Sequence, residues 1–244
     1  MNRLMSTAMA GANAAMARQE MYAHNLANAS TPGFRADISA LQAEAQASRP
    51  PGAPVKDTFA GADFSPGPIT QTGGNLDIAI NGKGWIAVEG RDGREAYTRN
   101  GGLQVSANGV LQTINGLNVL SDGGPIAIPA NAAVRIASDG TVSALPEGQS
   151  NSVINVGRIK LVNPPEQELA RSSDGLFRLS NGGNAPLDDT LRVATGSIEG
   201  SNVNVVEELV GMIALARQFE LHMKMMQNTE AGERDAARLL SIQS

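Results

Sequence analysis

Asn204-Val205-Val206-Glu207-Glu208-Leu209-Val210-Gly211-Met212-Ile213-Ala214-Leu215-Ala216-Arg217-Gln218-Phe219 opens the proline-free run 204–244, and the reading of that run decides the fold. Apolar residues at Leu209, Met212, Ala216, Phe219, Met223 and Met226 alternate three-and-four spacing, which predicts one stripe along a single long helix. Asn204 followed by Glu207 marks the start as a capping box, and Glu207 with Glu208 puts negative charge at the positive end of the helix dipole. Such a helix reaches on the order of 50 Å at about 1.5 Å per residue, more than one compact domain of this size covers. From Leu209 to Ala216 every position is apolar or glycine, so burial on several sides is expected and Ile213 counts as a contact residue beside the stripe. A helix of this kind needs partner helices, most simply in a polymer of copies.

Composition narrows the function. Of 244 residues 27 are glycine, aromatics make up 3%, and the formal net charge is −5, a profile of many turns rather than a large aromatic centre. With no run of Lys or Arg, nucleic acid is not an expected partner. Absence of cysteine excludes thiolate metal sites, disulfides and cysteine nucleophiles. No stretch has transmembrane length, so no membrane insertion is expected. Residues 1–17, with Arg3 before an Ala/Met-rich stretch, look superficially like a secretory signal, but they lack a Leu/Val core and Asn13 interrupts them.

Working back to the other end, Met5, Met9, Ala12, Met16, Gln19, Ala23 and Leu26 repeat the same spacing and predict a second helix. Its small residues Ala8, Gly11, Ala12 and Ala15 permit close approach of another helix, and the C-terminal helix is the expected partner. The helix is expected to stop at Asn28 in a left-handed cap, with Pro32 and Gly33 turning the chain before Phe34 anchors it. Ala36 to Ala47 has the composition of a short further helix, and the proline-rich remainder up to 75 reads as irregular connection.

From Leu76 to about Thr195 the period becomes two, as in Ile78 and Ile80, Leu103 and Val105, Ile126 and Ile128, and Val134 and Ile136. Asn-Gly and Asp-Gly pairs punctuate it, Asn81-Gly82 and Asn100-Gly101 among them, and each reads as a turn. Asn81-Gly82-Lys83-Gly84 lacks P-loop spacing and reads as a hairpin turn. The fold class predicted is α+β and discontinuous: paired long N- and C-terminal helices form a coiled-coil-like assembly domain, with an inserted all-β domain of short strands. The divisions expected are 1–35, 36–75, 76–199 and 200–244.

Chemistry is absent from the pattern. His24 and His222 are the two histidines, each among packing residues, and no third ligand or nucleophile is spaced to join them. No calcium loop of the D-x-D-x-D-G type occurs. No catalytic, metal or cofactor residue is assigned, and no cofactor is expected.

Three strings carry a family resemblance: His24 to Phe34 (HNLANASTPGF), Gly74 to Trp85 with Tyr97 to Gly101, and Glu199 to Val210. In this order they resemble the signatures of the bacterial flagellar axial proteins, and the segment Ala214 to Met226 is similar to that of proximal rod proteins. The resemblance implies a structural subunit of the proximal rod of the flagellar basal body, polymerising with copies of itself and with other proximal and distal rod proteins. It further implies export through the flagellar type III apparatus without a cleaved signal peptide, and a rod that crosses the periplasm and carries torque. The motif residues it marks are Asn25, Leu26, Ala27, Asn28, Thr31, Gly33 and Phe34 with Ser201, Asn202, Val203 and Asn204. The assembly interface expected comprises Met5, Met9, Ala12, Met16, Leu26, Leu209, Met212, Ile213, Ala216, Phe219, Met223 and Met226. A distal rod or hook protein, a carbohydrate hydrolase using two carboxylates, and a β-rich adhesin are the alternatives, and neither of the last two accounts for HNLANASTPGF.

Overall fold

The computed structural model describes residues 2–39, 59–146 and 153–242. Helix α1 (Asn2–Ala27) and helix α2 (Val205–Ile242) stand at the two ends of the chain, with short strands between them. The chain divides into two compact units, one of Met1–Ala29, Asp37–Asp63 and Val203–Ser244, the other of Ser30–Ala36 and Phe64–Asn202.

The second unit holds the apolar core. Its largest sheet has five strands in the order Leu161–Val162, Trp85–Glu89, Glu95–Thr98, Phe177–Leu179 and Leu169–Arg171, and a three-stranded sheet joins Ala132–Ile136, Thr141–Pro146 and Ile154–Arg158. Alternation along a strand sends successive side chains to opposite faces. Accordingly Ile86 and Val88 join Ile78, Leu111, Val142 and Leu161 in the aliphatic core, while Trp85 packs with Phe177 at 4.7 Å and Phe64 at 5.8 Å between ring centroids. Two predicted turns differ from expectation. Asn81-Gly82 does not close a hairpin, because Ile78–Ile80 pairs with Val193–Thr195 whereas Trp85–Glu89 pairs with Glu95–Thr98. At Asn100-Gly101 the glycine serves close packing instead of a left-handed turn: a Cβ on Gly101 would lie 1.7 Å from the Ile78 carbonyl oxygen.

In the first unit α1 and α2 touch, and Asp37–Ser39 pairs with Phe59–Ala62. Asp37–Ser39 is therefore strand where a helix was expected, and the rest of that expectation, 40–47, lies outside the described residues. Asn28 is also not left-handed: among the described residues Asn131, at φ 53°, is the non-glycine residue that is. Asn28 ends α1 by donating its Nδ2–H to the His24 carbonyl at 2.9 Å.

The coiled-coil-like assembly domain of paired long helices is not what forms. Among the described residues there are two α-helices, one at each end, and a large central β-rich region, so α+β holds but the seam of large residues does not. Met5, Met9, Met16, Leu209 and Met223 are exposed, while α1 buries Ala8, Ala12 and Ala15. Size misled the reading for the methionines of α1 and for α2, whereas the small face expected on α1 is buried: the contacts run through glycines that let a ring approach. A Cβ on Gly11 would come within 2.5 Å of the His222 ring, and one on Gly211 within 2.6 Å of the Tyr22 ring. Knobs-into-holes packing needs a continuous seam of large side chains, and here Met21 and Leu215 are the large apolar side chains buried among the described helix residues while most of the expected ones are exposed or half-buried.

Candidate functional site

Each unit is fastened by residues of the motif strings. In the first, buried Asn25 donates from Nδ2 to the Asp37 carbonyl at 3.0 Å and to Glu208 Oε1 at 3.1 Å, and its Oδ1 accepts from the Asp37 N–H at 2.8 Å. One amide thereby ties α1, the following strand and α2. Burial raises the Glu208 carboxyl above its usual range, with the Asn25 hydrogen bond opposing and the Glu207 charge adding to the rise. Asn204 caps α2 through Oδ1, which accepts from Val206 N–H at 3.1 Å and Glu207 N–H at 3.4 Å.

In the second unit Asn202 plays the corresponding part. Its Oδ1 accepts from the Ala36 N–H at 2.7 Å, its Nδ2 donates to the Ser65 carbonyl at 3.1 Å, and its own N–H reaches the Phe34 carbonyl at 3.3 Å. Gly33 has φ 69° and packs so closely on Arg99 that a Cβ would lie 2.3 Å from its carbonyl carbon, so Pro32-Gly33 makes the turn and glycine is needed for the contact. Phe34 lies under the Arg171 guanidinium at 4.8 Å, and the same guanidinium sits 4.9 Å from the Phe177 ring.

Beside this joint is a buried charge cluster. Glu199 Oε1 meets Arg35 Nη2 at 2.7 Å and accepts from the Gly67 N–H at 3.0 Å, while Oε2 meets Arg99 Nε at 3.1 Å. The three side chains are 1%, 1% and 4% exposed in the order Glu199, Arg35, Arg99, so two guanidiniums share one carboxylate away from water. Burial pulls the Arg99 guanidinium down to about 10, the Glu199 charge opposing and Arg35 reinforcing, which leaves it charged at neutral pH. Sequence reasoning passed over this cluster. The available signal was a charged residue at or beside each motif string: Arg35 directly after HNLANASTPGF, Arg99 inside Tyr97 to Gly101, and Glu199 opening Glu199 to Val210.

The expected assembly residues fall into two sets. Met5, Met9, Met16, Leu209, Ile213, Ala216 and Met223 are exposed, Leu26, Met212, Phe219 and Met226 half-buried, and Ala12 buried. Of the motif residues, Asn25, Gly33 and Ser201 are buried, Asn28, Thr31, Phe34, Asn202 and Val203 half-buried, and Ala27 and Asn204 exposed. On α2 the exposed apolar side chains continue through Val205, Val206, Val210, Leu221 and Met225. A free subunit that leaves so much apolar surface in water presents an interaction face.

Among the described residues nothing in the geometry resembles a reaction centre. His24 Nδ1 pairs with Asp37 Oδ2 at 2.6 Å, and the His222 ring lies on Gly11. A groove of about 920 Å³ is lined by Val105, Ser106, Ile128, Pro129, Asn131, Leu145 and neighbours of the same kind, none titratable, so it offers no general acid or base. No helix among the described residues is long and apolar enough to cross a membrane.

Three family models match the chain in order: Flagella basal body rod protein over residues 5–35, Flagellar hook protein FlgE/F/G D1 domain over 79–144, and Flagellar basal body rod FlgEFG protein C-terminal over 194–239. The flagellar basal-body rod protein FlgF of Escherichia coli strain K12 is 45% identical over 251 residues, covering 99% of this chain and 100% of the relative. FlgF of Salmonella typhimurium strain LT2 is 43% identical, with 99% and 100% coverage. A more distant relative, the rod protein FlgG of Buchnera aphidicola subsp. Acyrthosiphon pisum, is 29% identical over 90% of this chain and 93% of its own length. Full-length identity at this level, with all three family regions in order, makes the chain a member of the flagellar basal-body rod protein family that resembles FlgF, a structural subunit and not an enzyme.

Proposed function

We propose that this subunit belongs to the proximal rod and enters it by burying the outward apolar faces of α1 and α2 against neighbouring axial subunits, copies of itself included. The observation that carries this is the exposure of Val206, Val210 and Ile213, at 70%, 61% and 57%, along one side of α2. Burying each such side chain yields roughly 1.5–3 kcal/mol, which a monomer in water forgoes. Met5, Met9, Met16, Leu209, Ala216 and Met223 would extend the buried area, with Met212, Phe219, Met226 and Leu26 partly committed inside the subunit. In this reading residues 1–35 and 200–244 are the assembly segments, and 76–199 the β-rich domain they carry.

The same reading has the chain exported by the flagellar type III apparatus without cleavage, to become part of a torque-bearing rod across the periplasm. It is supported by the use made of residues 1–17: Ala8, Ala12 and Ala15 are buried in α1, so removing them as a leader would strip a packed helix.

Ile213 provides the test. Being exposed in the single subunit, Ile213→Asp leaves the fold intact, yet in the rod it would bury an unpaired charge at a cost of several kcal/mol. Ile213→Val would cost about 0.5–1.5 kcal/mol there. Cells carrying the aspartate variant should make folded protein absent from purified basal bodies and should not swim, whereas the valine variant swims. Normal rods and motility with Ile213→Asp would refute the interface, and an intact mass lacking residues 1–17 in the same basal bodies would refute uncleaved export.

A further inference from the structure

We propose that Asn81 is a spontaneous deamidation site, selected by the fold from five Asn-Gly pairs in the chain: Asn81, Asn100, Asn108, Asn115 and Asn181. The chemistry is intramolecular. The Gly82 backbone nitrogen attacks Asn81 Cγ and forms a C–N bond, closing a five-membered succinimide. The Cγ–Nδ2 bond breaks, and the amide nitrogen leaves as ammonia with the proton from Gly82 N. Water then adds to either imide carbonyl and opens the ring. Attack at Cγ gives aspartate, attack at the Asn81 main-chain carbonyl gives isoaspartate, and both carry a new carboxylate at neutral pH.

Glycine favours this attack because it has no Cβ to block the approach. A glycine N–H already donated to a carbonyl is restrained from it. At three of the pairs the fold imposes that restraint: Gly109 N–H donates to Ser106 at 2.9 Å, Gly116 N–H to Thr113 at 2.8 Å, and Gly182 N–H to Leu179 at 2.9 Å. At the fourth, Asn100 is buried and its Oδ1 accepts from the Gly102 N–H at 3.1 Å, while Gly101 is wedged against Ile78. Asn108, Asn115 and Asn181 are exposed as Asn81 is, so what sets Asn81 apart from them is the glycine N–H. Among the described residues neither the Asn81 side-chain amide nor the Gly82 N–H has a hydrogen-bond partner. A Cβ on Gly82 would meet nothing within 4 Å, so the succinimide ring has room. The cause is topological. Strands Ile78–Ile80 and Trp85–Glu89 do not pair with each other, so no hairpin closure claims the Gly82 N–H, and Arg99 Nη2 holds the glycine by its carbonyl at 2.5 Å instead.

The test is peptide mapping of the full chain by mass spectrometry during incubation in mildly alkaline buffer, reading the gain of about 1 Da that replaces an amide by an acid. In the folded protein Asn81 should convert several-fold sooner than Asn108, Asn115 and Asn181, and in denaturant the lead should disappear. Asn81→Gln, at a side chain that holds nothing in place, should abolish the early mass gain. Conversion of any other Asn-Gly pair as early as Asn81 in the folded chain overturns the proposal. So does a lead that persists undiminished in denaturant, or an early gain that survives Asn81→Gln.

Discussion

Glu199 is the residue on which the second unit turns, since its side chain answers Arg35, Arg99 and Gly67 while its backbone carbonyl accepts the Gly33 N–H at 2.8 Å. Removing the charge leaves two buried guanidiniums facing each other without an anion. Breaking a buried ion pair from one side costs about 3–5 kcal/mol, so Glu199→Gln should lower unfolding stability by that order in denaturant titration. A loss under about 1 kcal/mol would mean that water reaches the cluster. Tyr97 supplies a pH signature. Its fully buried hydroxyl donates to Glu95 Oε1 at 2.9 Å and accepts from the Ala185 N–H at 2.6 Å, and burial pushes the phenol from 10.0 up to about 12, with Glu95 adding to the rise and Ala185 opposing it. Because the folded value is the higher one, the stabilisation is complete below pH 10 and is lost as pH rises through about 12. Ultraviolet titration should find one of the two tyrosines ionising late, and Tyr97→Phe should remove that step while leaving the Ala185 N–H unpaired, at about 1–3 kcal/mol.

At the scale of elements, the contact between α1 and α2 is set by what is missing from it. Glycine inside a helix costs about 1 kcal/mol relative to alanine, so Gly11 and Gly211 are offset by the approach they allow. The ring of His222 lies over Gly11 and that of Tyr22 over Gly211, which brings the backbones closer than leucine or methionine would. Gly11→Val would drive two methyls into the His222 ring. The expected outcome is faster hydrogen exchange at amides 5–27, with those of Ile78–Ile80 and Trp85–Glu89 unchanged. Equal protection in variant and parent would show that α1 does not depend on this contact.

Over the whole molecule, burial is shared unequally. The second unit encloses fully buried Ile78, Ile86, Leu111, Val142 and Leu161, whereas the first unit buries chiefly alanines, with Met21 and Leu215, and leaves methionines, valines and leucines of both helices in water. Alanine contributes little on burial, while ordering each residue costs about 1–2 kcal/mol. Local stability should follow that difference. In a demonstrated monomer, amides of α1 and of α2 up to 232 should exchange orders of magnitude faster than those of Ile78–Ile80 and Thr141–Pro146. In assembled rods they should become protected. Uniformly slow exchange in the monomer would show that the helices need no partner.

By itself the sequence determined the two end helices, many of the strands and the family. The three-and-four spacing marked both end helices, Asn204 marked the start of α2, and the alternation at Ile78 and Ile80 or Val134 and Ile136 marked strands, because these depend on periods of 3.6 and 2 and on caps within a few residues, whereas Ile126 and Ile128 alternate without lying in a strand. On α1 the small-residue face of Ala8, Gly11, Ala12 and Ala15 was legible as a place of close approach, but that the methionines beside it would stay outside, and which side of α2 turned inward, was not. Met9 and Leu209 outweigh Ala8 and Gly211 in any stripe read by size, yet the closest approach of two backbones selects the small residues. The Arg35–Glu199–Arg99 cluster and the open turn at Asn81 were equally hidden. Each depends on partners far away in the chain: 164 positions separate Arg35 from Glu199 (199 − 35), and the Arg192 carbonyl receives the Asn81 N–H at 2.9 Å. Tertiary structure alone decided these, since only folding brings such groups within hydrogen-bonding distance and takes their charges out of water.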